Sequence, residues 1–452
     1  MSFELIQKDI ELLKDLIGND QQSKVAAIME ELHPADIAEI MDDLTIEEAK
    51  YIYLLLDGET ASDVLIEIDE DDRKRFLKVL PPEVIASKFI EHMDSDDAAD
   101  IVAELDEDIQ REVLNEIADL EHSGDIVDLL EYDEDSAGGI MAKELVKVNE
   151  NWNVATCLKE IGKQAEEVDE IFYIYVTDNI GKLKGVLSLK KLILNHVNTK
   201  VSNIYNSDII MVRTDTRQEE VAEIMDKYDL VAIPVVDDIG RLKGRITWDD
   251  IIDIVREEAE RDYQMVSGIT GDVESSDSVW LLIKARFPWL LVGMLGGIMS
   301  ATILRTHGNS LNKVTQLAFF IPLIAAMAGN VGVQSSSIVV KTIASGVKDI
   351  ESPLKKLLKD ISVALLTAIV FSTLIFIYNY FTAGDIRLTY SVSISLFIVI
   401  LFASLFGTII PLVLHRFKID PALATGPFIT TMNDMMGLFI YLWIVNLFFE
   451  LT

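Results

Sequence analysis

The sequence predicts a multidomain membrane protein in four parts. These are an α-helical N-terminal solenoid of superhelical hairpins (1–131), an α/β pair of internal repeats (132–257), a connecting helix (258–280) and a transmembrane domain of five helices (281–452). Three observations predict this. Charge is divided along the chain: residues 1–271 hold 27 Lys+Arg against 65 Asp+Glu, a net of −38, while the remainder is near neutral at +2. Beyond that boundary come five long apolar windows, four of them uncharged and the fifth with a single acid. Before it, a stretch of eleven residues occurs twice at an offset of 59.

Residues 1–131 are nearly free of strand signals. Apolar residues recur at helical spacing, as in Ile37, Ile40, Met41 and Leu44, or Ile101, Val102 and Leu105. A short acidic motif returns four times, as Ala35-Asp36-Ile37, Ser62-Asp63-Val64, Ala99-Asp100-Ile101 and Gly124-Asp125-Ile126, with alternate copies 64 and 62 residues apart. That spacing predicts stacked helical hairpins. Each motif acid, lying before an apolar run, reads as a helix N-cap or a solvated surface group.

In the second part, Asp178-Asn179-Ile180-Gly181-Lys182-Leu183-Lys184-Gly185-Val186-Leu187-Ser188 recurs as Asp237-Asp238-Ile239-Gly240-Arg241-Leu242-Lys243-Gly244-Arg245-Ile246-Thr247. A β-rich run precedes each copy (Ile171–Thr177, Leu230–Val236) and a helical pattern follows it (Leu189–His196, Trp248–Val255). This order resembles a tandem CBS (Bateman) module. Such modules hold a ligand, often an adenine nucleotide, through a Ser/Thr-x-x-Asp element. The second copy has Thr247-Trp248-Asp249-Asp250, whereas the first has Ser188-Leu189-Lys190-Lys191 with lysine in place of the acid. The resemblance therefore implies a nucleotide site, with ATP as its cofactor, in the second half only, at Thr247 and Asp250.

The apolar windows run Phe287–Leu304, Val314–Val340, Ile361–Gly384, Leu388–Leu414 and Pro421–Phe449, each reaching the ~18–20 residues that span a bilayer. Lys284, Arg286, Lys348, Lys355, Lys356, Lys359, Arg416 and Lys418 flank one side of the bundle, against Arg305, Lys313 and Arg387 on the other. The positive-inside rule then puts the N-terminus in the cytoplasm and the C-terminus outside. The second window carries Gly329-Asn330-Val331-Gly332-Val333-Gln334-Ser335-Ser336-Ser337, a polar patch suited to a cavity or helix interface. Pro322, Pro411 and Pro427 free backbone carbonyls, which are tolerated in a membrane only where buried or wet. Gly293, Gly296 and Gly297 in the first window permit close helix approach. Asp434 is the one acid of the fifth window, and it costs several kcal/mol unless it meets a cavity, a partner or an ion. A cation site and a structural acid bonded to a neighbouring helix both satisfy that requirement.

Composition narrows the function. Strong acidity argues against nucleic acid as a partner and favours metal cations or basic surfaces. One cysteine, Cys157, excludes an intrachain disulfide and a multi-cysteine metal site. Met1-Ser2-Phe3-Glu4 opens an acidic helical segment with no secretory h-region. No His-Glu-x-x-His and no P-loop is present, so the chain is not expected to be an enzyme.

The order of parts, together with Gly329-Asn330-Val331-Gly332-Val333-Gln334-Ser335 and Asp420-Pro421-Ala422…Gly426-Pro427…Thr430-Thr431…Asp434…Gly437, resembles the MgtE family of magnesium channels or transporters over essentially the whole chain. Ala328 stands where a glycine is common and Lys341 where arginine is common. The resemblance implies a homodimer in the cell membrane with a central cation pore. There Asp434 of each protomer would hold Mg2+, helped by Asn330 and nearby carbonyls, with Gly329 and Thr431 in the same selectivity element. Mg2+ keeps its water tightly, so one or two carboxylates with several carbonyls suit a largely hydrated ion. The resemblance further implies that internal Mg2+ is sensed by Asp96, Asp100, Asp250, Asp253, Glu258, Asp262 and Asp420. Asp96 with Asp100, and Glu258 with Asp262, lie one turn apart on a helix face and can share an ion. Arg261 stands where many relatives have an acid, and there a salt bridge can replace a metal. The function so implied is Mg2+ import across the cytoplasmic membrane with feedback gating by internal Mg2+. A CBS-gated transporter of Mn2+, Co2+ or Ni2+ is the alternative, since oxygen ligands accept these ions too. A sensor that does not conduct is a further alternative.

Overall fold

The computed structural model describes residues 3–41, 43–165, 168, 170–271, 273, 278–308, 311, 314–344, 353–382, 385–424 and 426–449. Lys313, Lys348, Gly384 and, in the connecting stretch, residues 272 and 274–277 lie outside the described residues. The chain divides into two compact units, Met1–Val255 and Arg256–Thr452.

The first unit opens with short helices, of which five carry the argument: α3 (Pro34–Met41), α5 (Gly58–Ile66), α7 (Pro82–Lys88), α8 (Ser95–Ala103) and α10 (Leu120–Leu129). The four acidic motifs fall on α3, α5, α8 and α10, and the apolar residue after each acid is buried: Ile37, Val64, Ile101 and Ile126. Helix α3 packs on α5 as α8 packs on α10, so motif copies spaced 64 and 62 apart hold equivalent places. The motif acids are not N-caps as expected. Asp63, Asp100 and Asp125 sit inside their helices, where backbone N–H groups are already bonded, Asp36 lies in the first turn of α3 past the cap position, and capping falls to Thr45, Asp57 and Asp119. Thr45 and Glu48 form a capping box. In the core Tyr53 stacks on Phe76 at 4.4 Å between ring centroids, and Phe89 meets both edge-on at 5.5 and 6.2 Å.

Two three-stranded sheets follow. In the first, β1 (Val146–Asn149) pairs parallel with β2 (Ile174–Thr177), which pairs antiparallel with β3 (Leu183–Leu187). In the second, β4 (Val212–Arg213), β5 (Ala232–Val236) and β6 (Leu242–Thr247) repeat that pattern. The repeated turn has one physical cause. Gly181 and Gly240 take φ of 81° and 83°, the left-handed region that favours glycine. Asp178 and Asp237 each accept bonds from two backbone N–H groups inside their turn. The two turns also join each other, Leu183 N donating to Gly240 O and Leu242 N to Gly181 O, both at 3.0 Å. The core of the N-terminal helices continues into the second repeat through Val221, Ile233, Ile246 and Ile251. The first repeat keeps its own core around Val148, Cys157, Ile161 and Val176. That continuity sets helix α8 against the second repeat.

Helix α14 (Trp248–Val266) begins in this unit and runs without a break through residue 257. Of the connecting helix expected over 258–280, the described residues are helical to Val266 and again from Val279, and Gly268 and Gly271, which adopt positive φ, lie past the first of these ends.

The second unit has five helices long and apolar enough to cross a membrane among the described residues. They are Val279–Thr306, Ile321–Ala344, Pro353–Thr382, Ile386–Arg416 and Pro427–Phe449, called here the first to fifth spans. Two windows are redrawn. The second begins with a separate 3₁₀ turn, Thr315–Phe320, ahead of Pro322. The fifth splits, because Pro421–Ala424 forms its own 3₁₀ turn, Gly426 takes φ of 57°, and Pro427 starts the helix. Gly296 of the first span forms a notch: an added Cβ would lie 1.9 Å from the Thr431 methyl. Nothing comparable faces Gly293 or Gly297.

Candidate functional site

In the first unit, helix α8 presents Asp96, Asp97 and Asp100 toward the start of α14. Asp96 is 8% exposed, and burial followed by the charges of Asp97 and Asp250 holds its carboxyl well above the usual range. Burial, then Asp250 and Asp100, push Asp97 up to about 7. Asp100 sits at the open rim, yet the crowding of protein around it and the Glu134 carboxylate push it up to about 7 as well. Asp250 is raised by burial against the pull of two Thr247 bonds, N–H at 3.0 Å and Oγ1 at 2.7 Å, both accepted by Oδ2. Four carboxyls from two helices thus share one acid-rich region, and each makes it harder for its neighbours to ionise.

The cluster extends further than sequence reasoning reached. Oxygens of Asp94, Asp96 and Glu144 lie within 4.8 Å of one another, and two full charges that close repel by roughly 3 kcal/mol at a protein-surface dielectric. Glu144 is oriented by Ser95, whose Oγ donates at 2.8 Å and N–H at 3.2 Å. Arg245 approaches Asp94 at 3.5 Å and donates to the Glu170 carbonyl at 3.1 Å. Asp94 and Asp97 were visible as part of Asp94-Ser95-Asp96-Asp97; Glu144 carries no local signal, since a loop brings it in from 48 residues past Asp96. An all-oxygen set of this density suits a hard divalent cation.

The remaining residues expected to sense Mg2+ are distributed. Asp253 is exposed on α14. In the second unit, Glu258 faces Arg261 at 3.8 Å, the ion pair that the substitution at 261 implied. Asp262 is raised by burial and by the like charge of Asp420, which itself accepts the Ala422 N–H at 2.7 Å. The same unit holds a tight junction between the end of α14 and the start of the fifth span. An added Cβ on Gly426 would lie 2.3 Å from the Val266 carbonyl oxygen, and one on Gly268 would lie 2.4 Å from Pro427 Cγ. Only glycine lets the two segments meet at that distance.

Asp434 lies on the second turn of the fifth span, seven residues or about 10 Å beyond Pro427. Its Oδ1 is buried with no hydrogen-bond partner among the described residues. The carboxylate lies against the second span: a Cβ on Gly329 would stand 2.9 Å from Oδ1. The neighbouring Asn433 is fully buried, and both its amide atoms lack partners among the described residues. It fills the space over Gly332, where a Cβ would stand 1.8 Å from Nδ2. Glycines 329 and 332 of the second-span motif thus make room for an acid and an amide of the fifth. Asn330 is exposed on the next face of its helix, and Thr431 turns its methyl into the Gly296 notch of the first span. The structure therefore joins Asp434 with Gly329 and directs Thr431 elsewhere.

Three family models match. One described as a divalent cation transporter covers residues 321–444, the MgtE intracellular N domain covers 32–135, and the CBS domain covers 137–196 and 201–257. A curated magnesium transporter MgtE of Thermus thermophilus is 33% identical over 97% of this chain and 98% of its own length. Its counterpart from Bacillus subtilis is 33% identical over 98% and 97%. Among solved structures, the soluble part of a magnesium transporter aligns with a TM-score of 0.50 and 30% identity over 56% of this chain and 99% of that one. The cytosolic domain of the Mg2+ channel MgtE in complex with ATP aligns with a TM-score of 0.51 and 35% identity over 54% and 98%.

Proposed function

The chain belongs to the MgtE family of magnesium transporters, not to a family of enzymes, and on that premise we propose that it is a Mg2+ conduit gated by internal Mg2+. It imports Mg2+ across the cytoplasmic membrane as a homodimer, with its N-terminus in the cytoplasm and its C-terminus outside. Asp434 of each protomer faces the hydrated ion, with the Gly329–Asn330 backbone opposite. Two such carboxylates repel one another unless a cation lies between them, which favours occupancy by a divalent ion. The oxygen-only set suits a hard, hydrated divalent ion, and preference for Mg2+ then rests on geometry and on which metal is available.

Asp96, Asp97, Asp100 and Asp250, with Asp94 and Glu144 beside them, take the sensing ions, and Asp262 with Asp420 take another near the membrane. Bound Mg2+ neutralises charges that otherwise drive these acids apart, so the conformation holding them together gains population as Mg2+ rises. Several weak sites with the same preference add their shifts. We assign 1–131, 132–257, 258–280 and 281–452 to the sensing helices, CBS pair, connector and pore. The Thr247–Asp250 element is where we place a nucleotide ribose, by likeness to the relative solved with ATP. The carboxylates beside it favour a nucleotide that carries Mg2+.

The observation that carries this reading is the junction of Val266 and Gly268 with Gly426 and Pro427, about two turns before Asp434 on the fifth span. Movement at the end of α14 acts directly on the helix that bears the pore acid. Liposome flux tests it. Native protein should pass Mg2+ and Asp434→Ala should not, whereas equal fluxes would remove the pore assignment.

A further inference from the structure

The fifth-span acid is not alone in the bundle. Helix Pro353–Thr382 begins ahead of the apolar window at Ile361 and so brings Asp360 into the third span. Its Oδ2 accepts from Ser404 Oγ at 2.9 Å and from Thr408 Oγ1, two hydroxyls one turn apart on the fourth span. Ser404 Oγ also lies 3.0 Å from Ser335 Oγ on the second span. Ser335 is 7% exposed, and Ser404 and Thr408 are each 2% exposed. Beside this chain, the second and fourth spans touch backbone to backbone: a Cβ on Gly407 would stand 2.4 Å from the Gly332 carbonyl oxygen.

Proton direction follows from chemistry. A carboxylate only accepts, so the Ser404 proton points at Asp360, and the Ser404 lone pair then takes the Ser335 proton. Thr408 has one proton to share between Asp360 and the Ser404 carbonyl at 2.9 Å. A single acid on the third span thereby fixes hydroxyls on the fourth and second. Ser335 lies six residues, about 9 Å, along the same helix from Gly329, which backs Asp434.

We propose that Asp360 is a positioning residue of the pore, holding the rotation of the second span through Ser404 and Ser335 so that Gly329 stays behind Asp434. The proposal rests on the pore reading of Asp434. Asp360 does not touch the ion. Charge-assisted bonds are the stronger kind, and losing the acceptor leaves two buried donors to find other partners.

The test is flux of Mg2+ and Ca2+ into liposomes holding the full chain. Asp360→Ala should lower Mg2+ flux about tenfold and narrow the Mg2+:Ca2+ ratio, whereas Asp360→Asn, whose carboxamide oxygen accepts the same hydroxyls, should stay within about twofold of native. If Asp360→Ala does not insert, Ser404→Ala, which breaks the link and keeps the acid, should show the same narrowed ratio. Native flux and ratio in Asp360→Ala or Ser404→Ala would overturn the proposal, and so would an Asn variant as impaired as Ala, since the charge itself would then be what matters. Asp434→Ala in the same liposomes separates the two readings. If it is silent while Asp360→Ala is native, only the positioning role falls; if it conducts normally, the pore reading falls.

Discussion

The molecule holds carboxylates in two opposite ways. Around α8 and the start of α14, Asp96, Asp97, Asp100 and Asp250 crowd together, and their carboxyls are raised by burial and by one another. In the fifth span Asp434 stands apart from other acids, in a space made by Gly329, with the buried amide of Asn433 alongside. A crowd of acids is a device whose energy depends on how much positive charge is supplied, which suits a sensor. A lone acid against bare backbone offers one charge and little else, so a hydrated ion is attracted without being trapped. The same residue type meets two different electrostatic settings, and the proposed sensor and pore roles rest on that difference.

That contrast can be broken at several points, and the largest effect should come at the lone acid. Asp434→Asn keeps the shape and removes the charge, and Mg2+ flux should fall by about a hundredfold, while Mg2+-dependent protection of the first unit from protease stays native. Replacing its backdrop comes next. Gly329→Ala puts a methyl 2.9 Å from Asp434 Oδ1, and flux should drop about tenfold with expression unchanged. Among the proposed sensing acids, the double variant Asp250→Ala, Asp262→Ala, one from the crowd and one from the pair with Asp420, should conduct normally but need several-fold more internal Mg2+ for half inhibition, read in liposomes with Mg2+ set inside. Unchanged inhibition would remove these acids from the sensor.

Acidity offers a milder probe of the same contrast. Unfolded Asp titrates near 3.9, whereas burial and neighbouring acids push Asp97 up to about 7 when folded, and Asp100 adds a smaller share in the same direction because solvent screens it at the rim. The folded state therefore holds the extra protons, and the stability they give is fully present below about 4 and lost as pH rises through 7. Without Mg2+, the unfolding transition of the first unit in the full-length protein should fall by a few degrees from pH 6 to pH 8, at about 2–4 °C per kcal/mol, and Mg2+ should restore more of it at pH 8. A transition insensitive to pH would mean the crowd is not strained. The smallest effect belongs outside both sites. Gly240→Ala, at φ of 83°, should cost about 1 kcal/mol by thermal unfolding and leave flux alone.

Much of this was legible in the sequence, and what was not has identifiable causes. The five spans follow from window length, and the duplicated turn follows from Asp-x-x-Gly with its left-handed glycine. Asp434 stood out because charge is rare in such a run. The partnership of Asp94, Asp96 and Glu144 was hidden because it is tertiary, made by a loop and a helix far apart in sequence. Asp360 was missed because hydropathy starts the third window one residue later, and its acceptor role appears only with the i, i+4 hydroxyls of Ser404 and Thr408. The break in the fifth window was written in Pro421, Gly426 and Pro427, but apolar averaging smoothed it over.

Helix α14 has one more consequence. Asp262 and Val266 are four residues apart near its end, which fixes about 6 Å of rise and 400° of winding between the acid beside Asp420 and the carbonyl that meets Gly426. One residue inserted after Asp262 would turn that carbonyl by about 100° while adding only 1.5 Å. Seven inserted residues would return the direction to within about 20° while adding roughly 10 Å. Angular phase, more than length, is the quantity this last turn carries from the acid to the glycine.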